Sequence, residues 1–150
     1  MSDMIDGKDE LILTELKKNA RNSTKNIAET IRLPRVTVHD RIQKMSKQGI
    51  IKSFTVSIDY KKIGYFTEVF VFISFLPNPD ISQRELAQRI AQLPGVYEVH
   101  IISGEYDLLL KVREKTLQDI GTLVVDKIRH LKGVGTTLTF ACFETIKEDI

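Results

Sequence analysis

Several things are scarce or missing from this sequence. A single cysteine, Cys142, stands among 150 residues, which excludes an intramolecular disulfide and any zinc module built on several cysteines. It falls in a stretch read as a buried strand, where cysteine acts as a small hydrophobe. Apolar runs reach only a few residues, so no membrane span is expected. Residues 1–6 lack the basic-then-apolar order of a signal peptide, and a cytoplasmic setting is the expectation. His39, His100 and His130 are not at metal-ligand spacing. No Gly-rich phosphate loop follows a strand, and neither Gly-x-Ser-x-Gly nor His-Glu-x-x-His occurs. Neither catalysis, a metal nor a cofactor is expected.

What is present is a charge split. The net charge is +2, but between residues 17 and 52 ten basic residues face only Glu29 and Asp40, leaving that segment at +8. From residue 54 onward 11 basic and 13 acidic residues leave −2. Such a split suggests two jobs, with the N-terminal part facing a polyanion; the alternative is a solvated basic face. Apolar spacing favours the first. Ile12, Leu13, Leu16 and Ala20 recur at helical spacing after Asp6 and Asp9, which suit a helix start. A second helix after Ser23 or Thr24 buries Ile27, Ala28 and Ile31. A third begins near Pro34, buries Val38, Ile42 and Met45, and stops at Gly49. With only Arg32-Leu33 as a turn between the last two, the pattern is a helix-turn-helix.

The third helix then presents Arg35, Val36, His39, Asp40, Gln43 and Lys47 outward. Arg35, His39 and Gln43 can hydrogen-bond to bases and Val36 can touch a thymine methyl, with Thr37 in the same first turns of the helix. Arg41 and Lys44 lie on the flank, where phosphates supply affinity without sequence information. Asp40 either pairs with a neighbouring lysine or excludes certain bases. Residues 35, 36, 37, 39, 41, 43, 44 and 47 are the candidate DNA contacts.

The run Asp6-x-x-Asp9-x-x-Ile12-Leu13-x-x-Leu16-x-x-Asn19-Ala20-Arg21 resembles the opening of the leucine-responsive regulator/AsnC (feast/famine) family. The resemblance continues through Ile27-Ala28-Glu29, Arg41-Ile42, Gly49-Ile50-Ile51, Ile58-Asp59 and Gly64, and spans the whole chain. It departs at Arg32-Leu33-Pro34, where the family commonly has Gly-Leu-Ser. The missing serine removes a cap of about 1 kcal/mol, for which Pro34 compensates by pre-setting the first turn.

Downstream, residues 52–59 read as a strand and linker, with a turn near Gly64. Strand-like stretches over 66–76, 96–103, 107–113 and 134–145 alternate with helical patterns at Leu86, Ile90 and Leu93 and at Leu117, Ile120, Val124, Ile128 and Leu131. The order βαββαβ is the ferredoxin-like split unit. An internal repeat agrees: Ile90-x-x-Leu93-Pro94-Gly95-Val96 recurs as Ile128-x-x-Leu131-Lys132-Gly133-Val134, an offset of 38 that also lays 66–76 onto 104–114. The first strand is apolar on both faces, Phe70 and Phe72 on one, Val69, Val71, Ile73 and Phe75 on the other. Both helices cover one face of such a sheet, so an apolar second face points to sheet-to-sheet pairing of two copies. The alternative is a monomer whose N-terminal domain lies on the sheet.

The expected fold class is therefore α+β: a helix-turn-helix (winged-helix-like) domain over 1–51, a linker strand and turn over 52–65, and a ferredoxin-like domain over 66–150. Gly104-Glu105-Tyr106-Asp107 is a hairpin turn by composition. By resemblance it is the family's Gly-x-Tyr-Asp loop, which lies at contacts between dimers where an amino acid can bind. Asp107 or Glu105 would then meet the ammonium group, with Thr137 and Thr139 lining the same pocket. These readings combine into a sequence-specific transcription regulator. It would bind palindromic double-stranded DNA as a homodimer or higher assembly of dimers, with an amino acid or related small molecule as candidate effector. The alternatives are an architectural protein that wraps DNA and an amino-acid sensor acting on a protein partner.

Overall fold

The computed structural model describes residues 5–148. They divide into two compact units, one running to Ile58 and the other starting at Asp59.

The first unit is built from α1 (Gly7–Lys18), α2 (Thr24–Ile31) and α3 (Arg35–Lys47). Asp6 caps α1 by accepting from the backbone N–H groups of Lys8 and Asp9, and Asp9 reaches back to the Asp6 N–H in a reciprocal box. Ser23 caps α2, accepting from Asn26 N–H at 3.1 Å. No side chain caps α3; Pro34 contributes a φ of −59° and a carbonyl that accepts from Val38 N–H at 3.1 Å. Gly49, at φ +72°, turns the chain out of α3 as the sequence suggested. The helices close on Ile12, Leu16, Ile27, Ala28, Val38, Ile42 and Met45. Between α2 and α3 the chain needs a left-handed residue, and Arg32 fills that place at φ 55°, ψ 48°. It is the one non-glycine residue with positive φ among the described residues.

The strand expected over 52–59 does not form, and residues 52–58 run without a ladder partner among the described residues. Phe54, Val56 and Ile58 alternate with polar residues as a strand requires, but all three are exposed. Alternation fixes side-chain direction; a strand also needs a neighbour to take its backbone hydrogen bonds.

The second unit contains β1 (Thr67–Phe75), α4 (Gln83–Ala91), β2 (Val96–Ile101), β3 (Leu108–Glu114), α5 (Leu117–Gly121) and β4 (Val134–Ala141). The strands form one antiparallel sheet in the order β2-β3-β1-β4, the ferredoxin-like arrangement. Val69, Val71 and Ile73 of β1 and Leu108, Leu110 and Val112 of β3 pack against Leu86, Ala87 and Ile90 of α4 and Ile120, Leu123, Val124 and Ile128. The single second helix expected from the sequence is broken up. α5 continues as a π-helical stretch, Thr122–Lys127, and a 3-10 turn, Ile128–His130. The β-branched Thr122, Val124 and Val125 crowd a regular helix, and the wider turn brings Leu123, Val124 and Ile128 all into the core.

The internal repeat is visible in the backbone. Gly95 and Gly133 sit at φ +88° and +87°, and each precedes a valine whose N–H returns to a leucine carbonyl, Val96 to Leu93 and Val134 to Leu131, both at 3.2 Å. A side chain at position 133 would meet the Phe75 ring at 2.8 Å. The sheet face opposite the helices carries Phe70, Phe72, Leu109, Leu138 and Phe140, the last half exposed. β4 stops at Ala141, short of the expected 145, although β1 runs two residues further and Cys142 N–H still donates to Glu68 O at 2.9 Å. Cys142 therefore lies just past the strand and half-buried, its Sγ 3.6 Å from Thr145 Oγ1.

Candidate nucleic-acid interface and ligand loop

With Val38, Ile42 and Met45 buried, the opposite face of α3 presents Arg35, Val36, His39, Asp40, Gln43, Lys44 and Lys47, all exposed. Val36 is 69% exposed. Thr37 is half-buried. Arg35 Nε lies 3.4 Å from Thr24 Oγ1 at the start of α2, a long hydrogen bond. Among the described residues His39, Asp40, Gln43, Lys44 and Lys47 make no hydrogen bond or ion pair through their side chains, so their polar groups face outward unspent. Asp40 thus has no lysine partner in this arrangement.

Arg41 differs from its neighbours. Although read from the sequence as a phosphate contact, its Nη1 donates to both carboxylate oxygens of Asp6 at 2.8 Å and to Asp9 at 2.9 Å, and the side chain is half-buried. The two acceptors are the residues of the α1 capping box, so one guanidinium ties the start of α1 to the middle of α3. The Asp9 N–H and the Arg41 guanidinium hold the Asp6 carboxyl below its ordinary value, and Asp9 and Asp6 raise that of Arg41 in return. Sequence spacing could not reveal this pairing, since the partners lie 32 and 35 residues apart. Arg32 was missed for another reason: its significance is its left-handed backbone, which holds an exposed basic side chain just before α3.

In the second unit, residues 104–107 join β2 to β3. Gly104 takes φ +132°, Glu105 is exposed, and the Tyr106 ring lies 5.6 Å from that of Phe72. Asp107 is held through its backbone and one carboxylate oxygen. Its Oδ2 accepts from Phe75 N–H at 2.6 Å, its N–H donates to Ile73 O at 2.9 Å, and its carbonyl accepts from Ile102 N–H and Gln83 Nε2. It latches the turn to the end of β1. Glu105, by contrast, makes no hydrogen bond or ion pair among the described residues. Thr137 and Thr139 are not brought to this turn. They lie on β4 opposite Ile73 and Val71, with β1 between them and β3, two strand spacings or about 10 Å. Thr137 Oγ1 accepts from Arg129 Nε at 2.8 Å.

Residues 68–150 match the Lrp/AsnC ligand binding domain, and residues 5–52 match a winged helix-turn-helix DNA-binding family. The chain belongs to the Lrp/AsnC family of transcription regulators. An uncharacterised HTH-type transcriptional regulator of Pyrococcus furiosus is 45% identical over 100% of both chains. The HTH-type transcriptional regulator LysM of Saccharolobus solfataricus is 35% identical over 90% of this chain and 92% of its own. Among solved structures, a transcriptional regulator of Neisseria meningitidis in complex with L-Met has a TM-score of 0.90 at 20% identity, covering 97% of this chain and 94% of that one. E. coli AsnC has a TM-score of 0.86 at 24% identity, with coverage of 96% and 95%. As an Lrp/AsnC regulator the protein binds DNA through its N-terminal unit, and its C-terminal unit is the family's ligand-binding domain. No described helix is long and apolar enough to cross a membrane.

Proposed function

We propose that this Lrp/AsnC regulator reads a palindromic operator as a dimer, using the exposed face of α3. The observation that carries the reading is the row of outward polar groups on that helix, Arg35, His39, Gln43, Lys44 and Lys47, backed by a closed core. Arg35, His39 and Gln43 supply base contacts, with Val36 and Thr37 beside them; Lys44, Lys47 and Arg32 face phosphates. Arg41 serves the DNA contact indirectly, by fixing α3 against α1. The apolar sheet face of Phe70, Phe72, Leu109, Leu138 and Phe140 pairs with that of a second copy, which supplies the second DNA-reading unit. An amino acid binds at residues 104–107, its ammonium group on Glu105, which is exposed and has no hydrogen bond or ion pair among the described residues, and its carboxylate on backbone N–H groups. The ligand-binding domain and the L-Met complex of the Neisseria regulator support this class of effector. It acts by favouring one assembly state of the dimers over another.

Phe140→Asp tests the paired reading. It places a charge on the apolar sheet face, at the edge strand β4, and leaves the residues of α3 unchanged, so sedimentation velocity should show a folded monomer. Its affinity for a two-half-site duplex should fall at least tenfold, because a single unit keeps only half of the contacts. A monomer that binds as tightly as the parent contradicts the proposal.

A further inference from the structure

One residue on the outward face of α3 carries the opposite charge to its surroundings. Between residues 17 and 52 only Glu29 and Asp40 are acidic, and Glu29 faces Lys25 at 4.0 Å, one helical turn away. Asp40 is exposed and has no such partner among the described residues. Lys44 stands four residues on, the spacing at which an acid followed by a lysine can pair on a helix, yet no ion pair joins them. The neighbouring Arg41 turns its Nη1 to Asp6 and Asp9 instead. Nor does Asp40 serve the helix itself. It is the sixth residue of α3, past the first turn in which a carboxylate caps free N–H groups or complements the dipole. Aspartate is also a weak helix former.

Its position does suit one role. Val36, Asp40, Gln43 and Lys47 recur at helical spacing as a single stripe along the outward face, opposite the buried Val38, Ile42 and Met45. Docked in a major groove, that stripe meets base edges. There an ionised carboxylate can only accept. Guanine presents N7 and O6 and thymine O4, all acceptors, which repel it. Adenine has its N6 amino donor, but the N7 acceptor lies beside it on the same edge. Cytosine presents its N4 donor and no acceptor of its own. Away from such a donor, the carboxylate would face base acceptors and phosphates with nothing to offset the repulsion.

We propose that Asp40 fixes one base pair of each half-site as C·G, accepting a hydrogen bond from the cytosine N4 amino group, and rejects guanine and thymine there by acceptor–acceptor repulsion. The proposal deepens the reading of the operator by α3 and rests on it. Arg35, His39 and Gln43 supply attraction to the right bases, and Asp40 adds exclusion of the wrong ones. The same negative charge opposes phosphates, so Asp40 weakens binding to DNA of arbitrary sequence and widens the gap between operator and bulk DNA.

The test selects bound duplexes from a random pool with the full-length parent, Asp40→Ala and Asp40→Asn, then measures fluorescence anisotropy on duplexes that differ only at the assigned base pair. The parent consensus should hold a C·G pair in each half-site at a position where Asp40→Ala shows no preference. Asp40→Asn should prefer A·T there, because an asparagine amide bonds adenine N6 and N7 together. Replacing that C·G by T·A or G·C should weaken the parent about tenfold and Asp40→Ala less than about twofold. Removing the carboxylate should also tighten binding to duplexes that lack the site, more so at low salt. Asp40→Asn keeps the size and shape of the side chain, so a changed preference in both variants is not a folding defect. A consensus that Asp40→Ala shares with the parent at every position would overturn the proposal and leave reading by α3 standing. Tighter binding of Asp40→Ala to every duplex by one common factor would also overturn it, since Asp40 would then act as a bare charge. A parent without any consensus would remove the reading by α3, and the proposal with it.

Discussion

Arg41→Gln and Lys44→Gln should weaken DNA binding in two different ways. Lys44 is exposed and makes no hydrogen bond or ion pair among the described residues, and so is available to a phosphate. Losing one phosphate contact per unit flattens the plot of log affinity against log salt by about 0.9, or about 1.8 for a dimer on two half-sites. Between 50 and 200 mM salt, the parent's affinity should therefore fall about twelvefold more than that of Lys44→Gln. Arg41 spends its Nη1 on Asp6 and Asp9. Its substitution should leave the slope unchanged while lowering affinity by the same factor at every salt concentration. It should also destabilise the N-terminal unit by about 2 kcal/mol, because buried Asp9 loses its cation and charge-assisted hydrogen bonds are broken. Fluorescence anisotropy on a labelled duplex at four salt concentrations gives the slopes, and urea unfolding gives the stability. An Arg41→Gln variant that unfolds like the parent but flattens the slope as much as Lys44→Gln would refute the structural role of Arg41.

Two further outcomes follow from the backbone and the charge network. Arg32→Gly should raise the unfolding free energy of the N-terminal unit by about 0.5–1 kcal/mol: relief of a left-handed side-chain residue gains about 1–2 kcal/mol, against the larger chain entropy of glycine; a loss of stability in urea unfolding would contradict this. For Glu68, burial works to raise the pKa, but hydrogen bonds from Arg113 and Thr145 and the charges of Arg113 and Lys111 outweigh it and leave the value below its ordinary 4.5. With the folded value depressed, this stabilisation is complete above about pH 4.5 and is lost as pH falls through the folded value. Thermal melts from pH 7 to 3 should show that loss in the parent and a smaller one in Glu68→Gln; equal slopes would contradict it.

Much of the fold could be read from spacing and punctuation. The helix starts at Asp6 and Ser23, the stop at Gly49 and the buried stripe Val38, Ile42 and Met45 are local, and local chemistry fixed them. The offset of 38 laid one strand on another because Gly95 and Gly133 make the same left-handed turn. What escaped was long-range or cooperative. Arg41 looked like a phosphate contact because its partners sit at the other end of the unit's sequence. Asp107 was offered to an ammonium group alongside Glu105 because its bond from Phe75 N–H, 32 residues away, is not visible in the sequence. Residues 52–59 had the alternation of a strand but no neighbour to pair with. Thr137 and Thr139 were placed near the ligand loop without knowing that β1 lies between.

The most direct measurement is selection of bound duplexes from a random DNA pool at physiological salt, run in parallel with the Arg35→Ala, His39→Ala double variant. If α3 reads bases, the parent enriches a palindromic consensus and the folded double variant loses it while retaining weak, salt-sensitive binding. Enrichment of the same consensus by the double variant would contradict base readout by Arg35 and His39.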